Sequence, residues 1–194
     1  MKTSGKGLIG KGSLCISLAL FLLTTGRAQA ANDAYYADHR DQSLGVELNI
    51  LWPFAPFHTY EIKFRYKLGE DVEAVVGYGR QFWTYEGKRH NPGRMDSQAL
   101  LLGSRAYLPG TSASVEYTAW LCHDVFHHDN GLTYHGFSLD NEFYLGYSYY
   151  LPGTNAYLLP QADAAFWSYK TYSMPLNDLY TFDFLPKLSL GADF

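Results

Sequence analysis

The last fifteen residues constrain this chain more than any other stretch. From Tyr180 the even positions read Tyr180, Phe182, Phe184, Pro186, Leu188, Leu190, Ala192 and Phe194, all apolar. The odd positions read Thr181, Asp183, Leu185, Lys187, Ser189, Gly191 and Asp193, with one large apolar residue among them. Successive side chains of a strand point to opposite faces, so a strict period of two describes a β-strand with two chemically different faces. The run is long for a soluble strand, and it ends on phenylalanine.

The same alternation recurs upstream. Leu44, Val46, Leu48 and Ile50 alternate with Ser43, Gly45, Glu47 and Asn49. Tyr60, Ile62, Phe64, Tyr66 and Leu68 alternate with Glu61, Lys63, Arg65 and Lys67. Val115, Tyr117, Ala119 and Leu121 alternate with polar residues and Trp120, and Phe137 to Tyr149 does the same with Asn141 interrupting its apolar face. Weaker versions lie at Val72 to Phe82, Gln98 to Leu108 and Ala156 to Ser168. Eight strands result. Their connectors alternate in length: Gly69-Glu70-Asp71, Pro109-Gly110-Thr111 and Pro152-Gly153-Thr154 are tight turns, whereas Pro53 to His58, Thr84 to Met95, His123 to Thr133 and Lys170 to Asp178 read as longer links. Brief turns at one end and long loops at the other are the signature of an up-and-down barrel. Tyr107-Leu-Pro-Gly-Thr-Ser-Ala113 and Tyr150-Leu-Pro-Gly-Thr-Asn-Ala156 form a partial repeat, with Tyr66-Lys-Leu-Gly-Glu-Asp-Val72 a fainter copy. A repeated hairpin unit and a turn chemistry reached independently both account for it.

The first thirty residues have a different character. Lys2, Lys6 and Lys11 precede an uncharged apolar run from Leu14 to Thr25, and Ala28-Gln29-Ala30 supplies small residues where a signal peptidase cuts. That order is a cleaved secretory signal, residues 1–30, and the run is too short for a membrane helix. Cys15 follows Leu14 rather than the small residue a lipoprotein signal requires. A lead-in, residues 31–41 with Tyr35, Tyr36, His39 and Arg40, then precedes the barrel domain, residues 42–194. Lys2, Lys6, Lys11 and Arg27 are the only charges of the signal, so its removal takes the formal charge from −4 to −8, with 11 basic residues left against 19 acidic ones. So acidic a chain lacks the basic footprint of a nucleic-acid binder. Cys122 alone remains and cannot form a disulfide within the chain.

Period two does not say which face is inside. A soluble lipocalin-like barrel would turn the apolar residues inward. The membrane arrangement is favoured by strands long enough to cross a bilayer at a tilt, by an aromatic content of 17% and by the secretory signal. The expected fold is therefore all-β, an eight-stranded antiparallel up-and-down transmembrane β-barrel. Its lumen receives Glu47, Glu61, Lys63, Arg65, Lys67, Glu73, Arg105, Glu116, Asp140, Glu142, Asp163 and Lys187. Eight strands leave only enough interior for side chains, so these charges must pair with one another and fill it. A small proton or ion path is the alternative use of the same residues.

Residues 42–194 resemble the small eight-stranded outer-membrane barrels of Gram-negative bacteria, the OmpX and OmpA-domain type. The ending Lys187-Leu-Ser-Leu-Gly-Ala-Asp-Phe194 is similar to the C-terminal signal read by the barrel-assembly machinery, departing from it at Ser189 and Ala192. Asn141-Glu-Phe-Tyr-Leu-Gly-Tyr147 and Leu185-Pro-Lys-Leu-Ser-Leu-Gly191 also resemble an uncharacterised outer-membrane protein family. The resemblance implies residence in the outer membrane, contact with its lipid and assembly through the strand ending at Phe194. It brings no activity and no cofactor.

Chemistry is concentrated in the third long link. His123, His127, His128 and His135, with Asp124 and Asp129 among them, could ligate zinc, copper or nickel, and a polar loop enriched in histidine by chance is the plainer reading. His127-His128-Asp129-Asn130-Gly131-Leu132 is similar in outline to the His-x-Ser-Asn motif of lipid A deacylases, but Asp129 stands where the nucleophilic serine belongs, and Ser138 is the nearest serine downstream. The link of Thr84 to Met95 holds Lys88, Arg89, His90 and Arg94, a basic patch able to meet lipopolysaccharide phosphates or simply to be solvated. The leading expectation is a non-enzymatic envelope protein; a lipid A-modifying hydrolase and a small pore are its rivals.

Overall fold

The computed structural model describes residues 32–34, 42–54, 58–85, 93–171 and 182–194. Its strands are β1 (Leu44–Asn49), β2 (Tyr60–Lys67), β3 (Val72–Tyr85), β4 (Gly93–Tyr107), β5 (Ala113–His128), β6 (Thr133–Tyr147), β7 (Tyr149–Tyr150), β8 (Ala156–Lys170) and β9 (Phe182–Asp193). β6 and β7 are one stave interrupted at Ser148, because Gly146↔Gln161 and Tyr149↔Leu158 keep the same register on β8. Every stave is antiparallel to the next, and β9 pairs with β1, so the sheet closes into an eight-stave up-and-down barrel without a free edge. The seam is held at its end by Leu44 and Phe194, whose backbones exchange hydrogen bonds of 3.2 and 2.8 Å.

The registers fix the barrel's dimensions. Starting at Val46, partners lead through Phe64, Val76, Leu102, Ala119, Asn141 and Phe166 to Phe182 on β9. Val46 itself pairs with Ala192, ten residues further along that strand. A stagger of about ten over eight strands demands a tilt of about 40° and a radius of about 8 Å. A cylinder that narrow has room inside for side chains alone.

The two faces divide as the alternation requires. Leu48, Phe64, Tyr66, Val76, Leu100, Leu121, Leu145 and Phe184 are exposed on the outer wall, while Glu47, Lys63, Arg65, Arg105, Glu116 and Lys187 are buried inside. Asn141, which breaks the apolar series on β6, lies on the outer wall but is covered. It accepts from the Tyr117 hydroxyl at 2.9 Å and donates to Ser168 Oγ at 2.8 Å. Ser168 is the extra residue of the bulge between Leu139↔Tyr169 and Asp140↔Trp167. The two Pro-Gly-Thr turns share a conformation: Gly110 and Gly153 have φ of 71° and 74°, where a side chain would be strained, and Thr111 and Thr154 bond back to Leu108 and Leu151 in the same way.

Two links differ from the sequence expectation. The supposed loop of His123 to Thr133 is mostly strand: β5 runs on to His128, β6 begins at Thr133, and only residues 129–132 turn. Likewise β3 continues to Tyr85 and β4 begins at Gly93, leaving residues 86–92 outside the described set. The alternation continues through these stretches, but its outward members become Arg, His and Thr, so a search for apolar alternation stops too early.

Inward glycines admit the bulkiest interior groups. A Cβ on Gly79 would fall within the Trp120 ring. Gly79→Ala is therefore expected to displace the indole and cost about 1–3 kcal/mol, measured as a lower urea midpoint with altered near-ultraviolet circular dichroism.

Candidate functional site: the filled lumen and the two mouths

The centre of the interior is a connected network of ion pairs, with Glu142 and Asp163 buried beside it and outside its pairs among the described residues. Arg105, with no exposed surface, places Nη1 and Nη2 2.5 and 2.7 Å from the two Glu47 oxygens. Its Nε donates to Glu116 Oε2 at 2.7 Å, and Nη2 also meets that oxygen. Lys63 bridges Glu116 and Glu61 at 2.6 and 2.7 Å, and Lys187 joins Glu61 at 2.7 Å. Both ammonium groups lie against the Tyr144 ring, 4.0 and 4.2 Å from its centroid. Arg65 contacts Glu73 through Nη1 at 2.8 and 2.7 Å, lies 3.0 Å from Glu47, and pairs with Asp193 and the Tyr157 hydroxyl. Charges removed from water are stable only when so partnered, and bidentate guanidinium–carboxylate geometry is the strongest available form.

Tyrosines close the network toward the short turns. Tyr157 donates to Glu47 at 2.6 Å, Tyr150 to Asp193 at 2.6 Å and Tyr107 to Glu73 at 3.1 Å. Trp120 and Trp52 close it from the other side. Trp52 reaches inward from the one-turn 3-10 helix Trp52–Phe54, its indole donating to the Pro186 carbonyl at 2.8 Å, while Asn49 Oδ1 accepts from the backbone of Leu51 and Trp52. Asp140, Glu142 and Asp163 are buried on the inward face of β6 and β8, making this sector the more acidic one. Beyond Trp120, Asp124 accepts from Ser97 and Ser138 at 2.6 Å each.

Of the charges assigned to the lumen from sequence, Glu47, Glu61, Lys63, Arg65, Arg105, Glu116 and Lys187 meet in the network. Glu73 is at its turn-side edge, and Lys67 is half-buried near the same mouth. Asp193, Tyr107, Tyr144, Tyr157 and Trp52 complete the filling without having been singled out, and Asp124, expected beside the histidines, turns inward to Ser97 and Ser138. Asp193 was legible in the odd phase of the last strand. The tyrosines were hidden because their rings count as apolar while their hydroxyls serve the network.

The histidine and serine candidates do not converge. His123, His127 and His135 stand on the outer wall, whereas His128 has the opposite parity and accepts at Nδ1 from the Asn130 amide at 3.0 Å. No group of three or more His, Cys, Asp or Glu among the described residues could hold a metal ion. Ser138 is buried on the inward face, donating to Asp124, while His127 faces outward with Nδ1 3.1 Å from Thr133 Oγ1. Asp129 lies in the turn between β5 and β6. A barrel wall thus separates Ser138 from His127, while His128, of inward parity, lies six residues along β5 from Cys122, the partner of Ser138. Lys88, Arg89 and His90, the signal at 1–30 and the aromatic lead-in at 35–40 lie outside the described residues.

At the short-turn mouth a small piece of the lead-in is docked. Asn32 donates to Ser112 Oγ at 2.9 Å and to the Ser148 carbonyl at 2.7 Å, and accepts from the Tyr150 amide at 2.8 Å. Asp33 Oδ1 accepts from the Ser112 amide at 3.0 Å and the Tyr147 hydroxyl at 2.6 Å. Asp33→Ala should expose the Ser112 amide, raising its hydrogen-exchange rate by about tenfold or more, as loss of a charge-assisted bond implies. Unchanged exchange would mean that the contact does not hold this mouth.

No protein-family model matches the chain, and no curated protein matches it in sequence. Among solved structures the chain is similar to the Yersinia pestis outer membrane protein Ail in a phospholipid bilayer nanodisc, at 12% identity, covering 79% of this chain and 100% of that one, with a TM-score of 0.47. It is also similar to the N-terminal β-barrel domain of Pseudomonas aeruginosa OprF, at 17% identity, 79% and 98% coverage and a TM-score of 0.42. A third likeness is to Neisserial surface protein A, at 14% identity, 79% and 95% coverage and a TM-score of 0.44. These are likenesses of barrel form and carry nothing about activity.

Proposed function

We propose that this chain is an integral outer-membrane barrel protein with a closed lumen, acting without enzymatic chemistry to stabilise the envelope or present its outer loops to partners. One observation carries the reading: the barrel is inside out. Its outer wall exposes leucine, valine or phenylalanine on every long stave, and its interior holds the charges. In water such a surface would be an aggregation liability; against acyl chains it is the stable arrangement. The paired interior supports a plugged lumen over a pore, and the separation of Ser138 from His127 favours no hydrolase. Removal of residues 1–30 on export and assembly through the strand ending at Phe194 belong to the same reading.

The test is refolding of residues 31–194 in detergent. A gel-mobility shift on boiling, without conductance in planar bilayers, is the expected result. Solubility without detergent would overturn the membrane reading, and steady conductance would overturn the closed lumen.

A further inference from the structure

Resting on that membrane reading, we propose that the outer wall of β3–β6 just beyond the apolar belt binds the phosphate groups of a lipid headgroup in the outward leaflet. The belt has a sharp edge there. Tyr78, Leu100 and Leu121 form one register row of exposed apolar side chains, and the next row reads Arg80, Gln98 and His123, with Phe137 on β6 still apolar. One row further, Asp96 and Val125 lead to His135, and the row after that puts Arg94 directly opposite His127. The chemistry changes within one residue pair on three adjacent staves, from a surface suited to acyl chains to one rich in N–H donors.

The donors are braced rather than loose. The Arg80 and Arg94 guanidinium carbons lie 4.5 and 5.4 Å from the Phe82 ring centroid. Arg80 spends Nε and Nη2 on Asp96, at 3.1 and 2.7 Å, leaving Nη1 for another acceptor. Arg94 is exposed and forms no ion pair among the described residues. His127 holds Thr133 through Nδ1, which leaves Nε2 to face outward, and the His123 and His135 rings stack at 6.0 Å. Guanidinium forks match phosphate geometry, and imidazole N–H groups add further donors. Among the described residues of these rows Asp96 is the one carboxylate, and it is already engaged by Arg80. A basic face on a chain of formal charge −4 is local complementarity, not a consequence of overall charge.

A headgroup phosphate commits the site to an amphiphile: tails on the Tyr78–Leu100–Leu121 row, phosphate on the row above. The test uses residues 31–194 refolded in detergent, with insertion established by the boiling shift. Its affinity is then measured by intact-complex mass spectrometry for a bis-phosphorylated glucosamine lipid and for the same lipid with its phosphates removed. The phosphorylated form is expected to bind about tenfold more tightly. The double variant Arg80→Gln and Arg94→Gln, inserted normally by the same gel criterion, should lose that preference, and His123→Gln with His127→Gln should lower it. Equal affinity for the two lipids, or an unchanged preference in the arginine variant, overturns the site while leaving the membrane reading standing. Failure of the wild type to insert overturns both.

Discussion

Arg105→Met is expected to destabilise the refolded barrel by about 3–5 kcal/mol, because it breaks two buried ion pairs at once and leaves Glu47 with Arg65 alone and Glu116 with Lys63 alone. Glu47 and Glu116 are each 2% exposed or less, and Arg105 reaches both. Arg105→Lys should lose less: it keeps the charge but lacks the fork that spans two carboxylates. Adding Glu116→Gln to Arg105→Met should recover part of the loss, since the double change removes one buried charge of each sign. Urea midpoints in detergent micelles measure all three. A single variant within about 0.5 kcal/mol of wild type, the range of ordinary surface changes, would show that the network contributes little to stability.

The second large effect concerns the opposite face. Val76 is 47% exposed near the middle of the outer belt. On a soluble barrel Val76→Arg would be nearly neutral, but in a bilayer it should cost about 2–4 kcal/mol, as arginine does at the midplane of a transmembrane barrel. Leu132→Arg, in the β5–β6 turn, is the control and should cost nothing measurable. Reversible unfolding from phospholipid vesicles separates the outcomes. Equal stability of the two variants would remove the bilayer from the account of this surface.

Much of this could be read in the sequence for a simple reason. A strand encodes its two faces in alternate residues, and a barrel with an apolar exterior repeats that code on every stave. The series Tyr60–Leu68, Val115–Leu121 and Phe184–Leu190 thus announced strands, their faces and, through the tight turns, their order. The code failed where the outward residues ceased to be apolar. His123 and His127 were assigned to a loop because imidazoles replaced leucines on a strand that continued unbroken. The catalytic and metal candidates went astray for a related reason. Ser138 entered only as the serine nearest downstream of His127 and His128, and strand parity places His127 on one side of a wall and Ser138 on the other.

Local periodicity and turn chemistry are enough to give the number of staves, their antiparallel order and which residues share a face. They also require that charges and apolar residues part company. Only the tertiary structure decided which charge meets which. Arg105 finds Glu47 across 58 residues of chain, Lys187 finds Glu61 across 126, and Asn32 finds Ser148 across 116. Those partnerships depend on the stagger that closes the barrel and on how far each side chain reaches across its axis. Neither quantity is carried by any single strand, and both appear only when β9 meets β1.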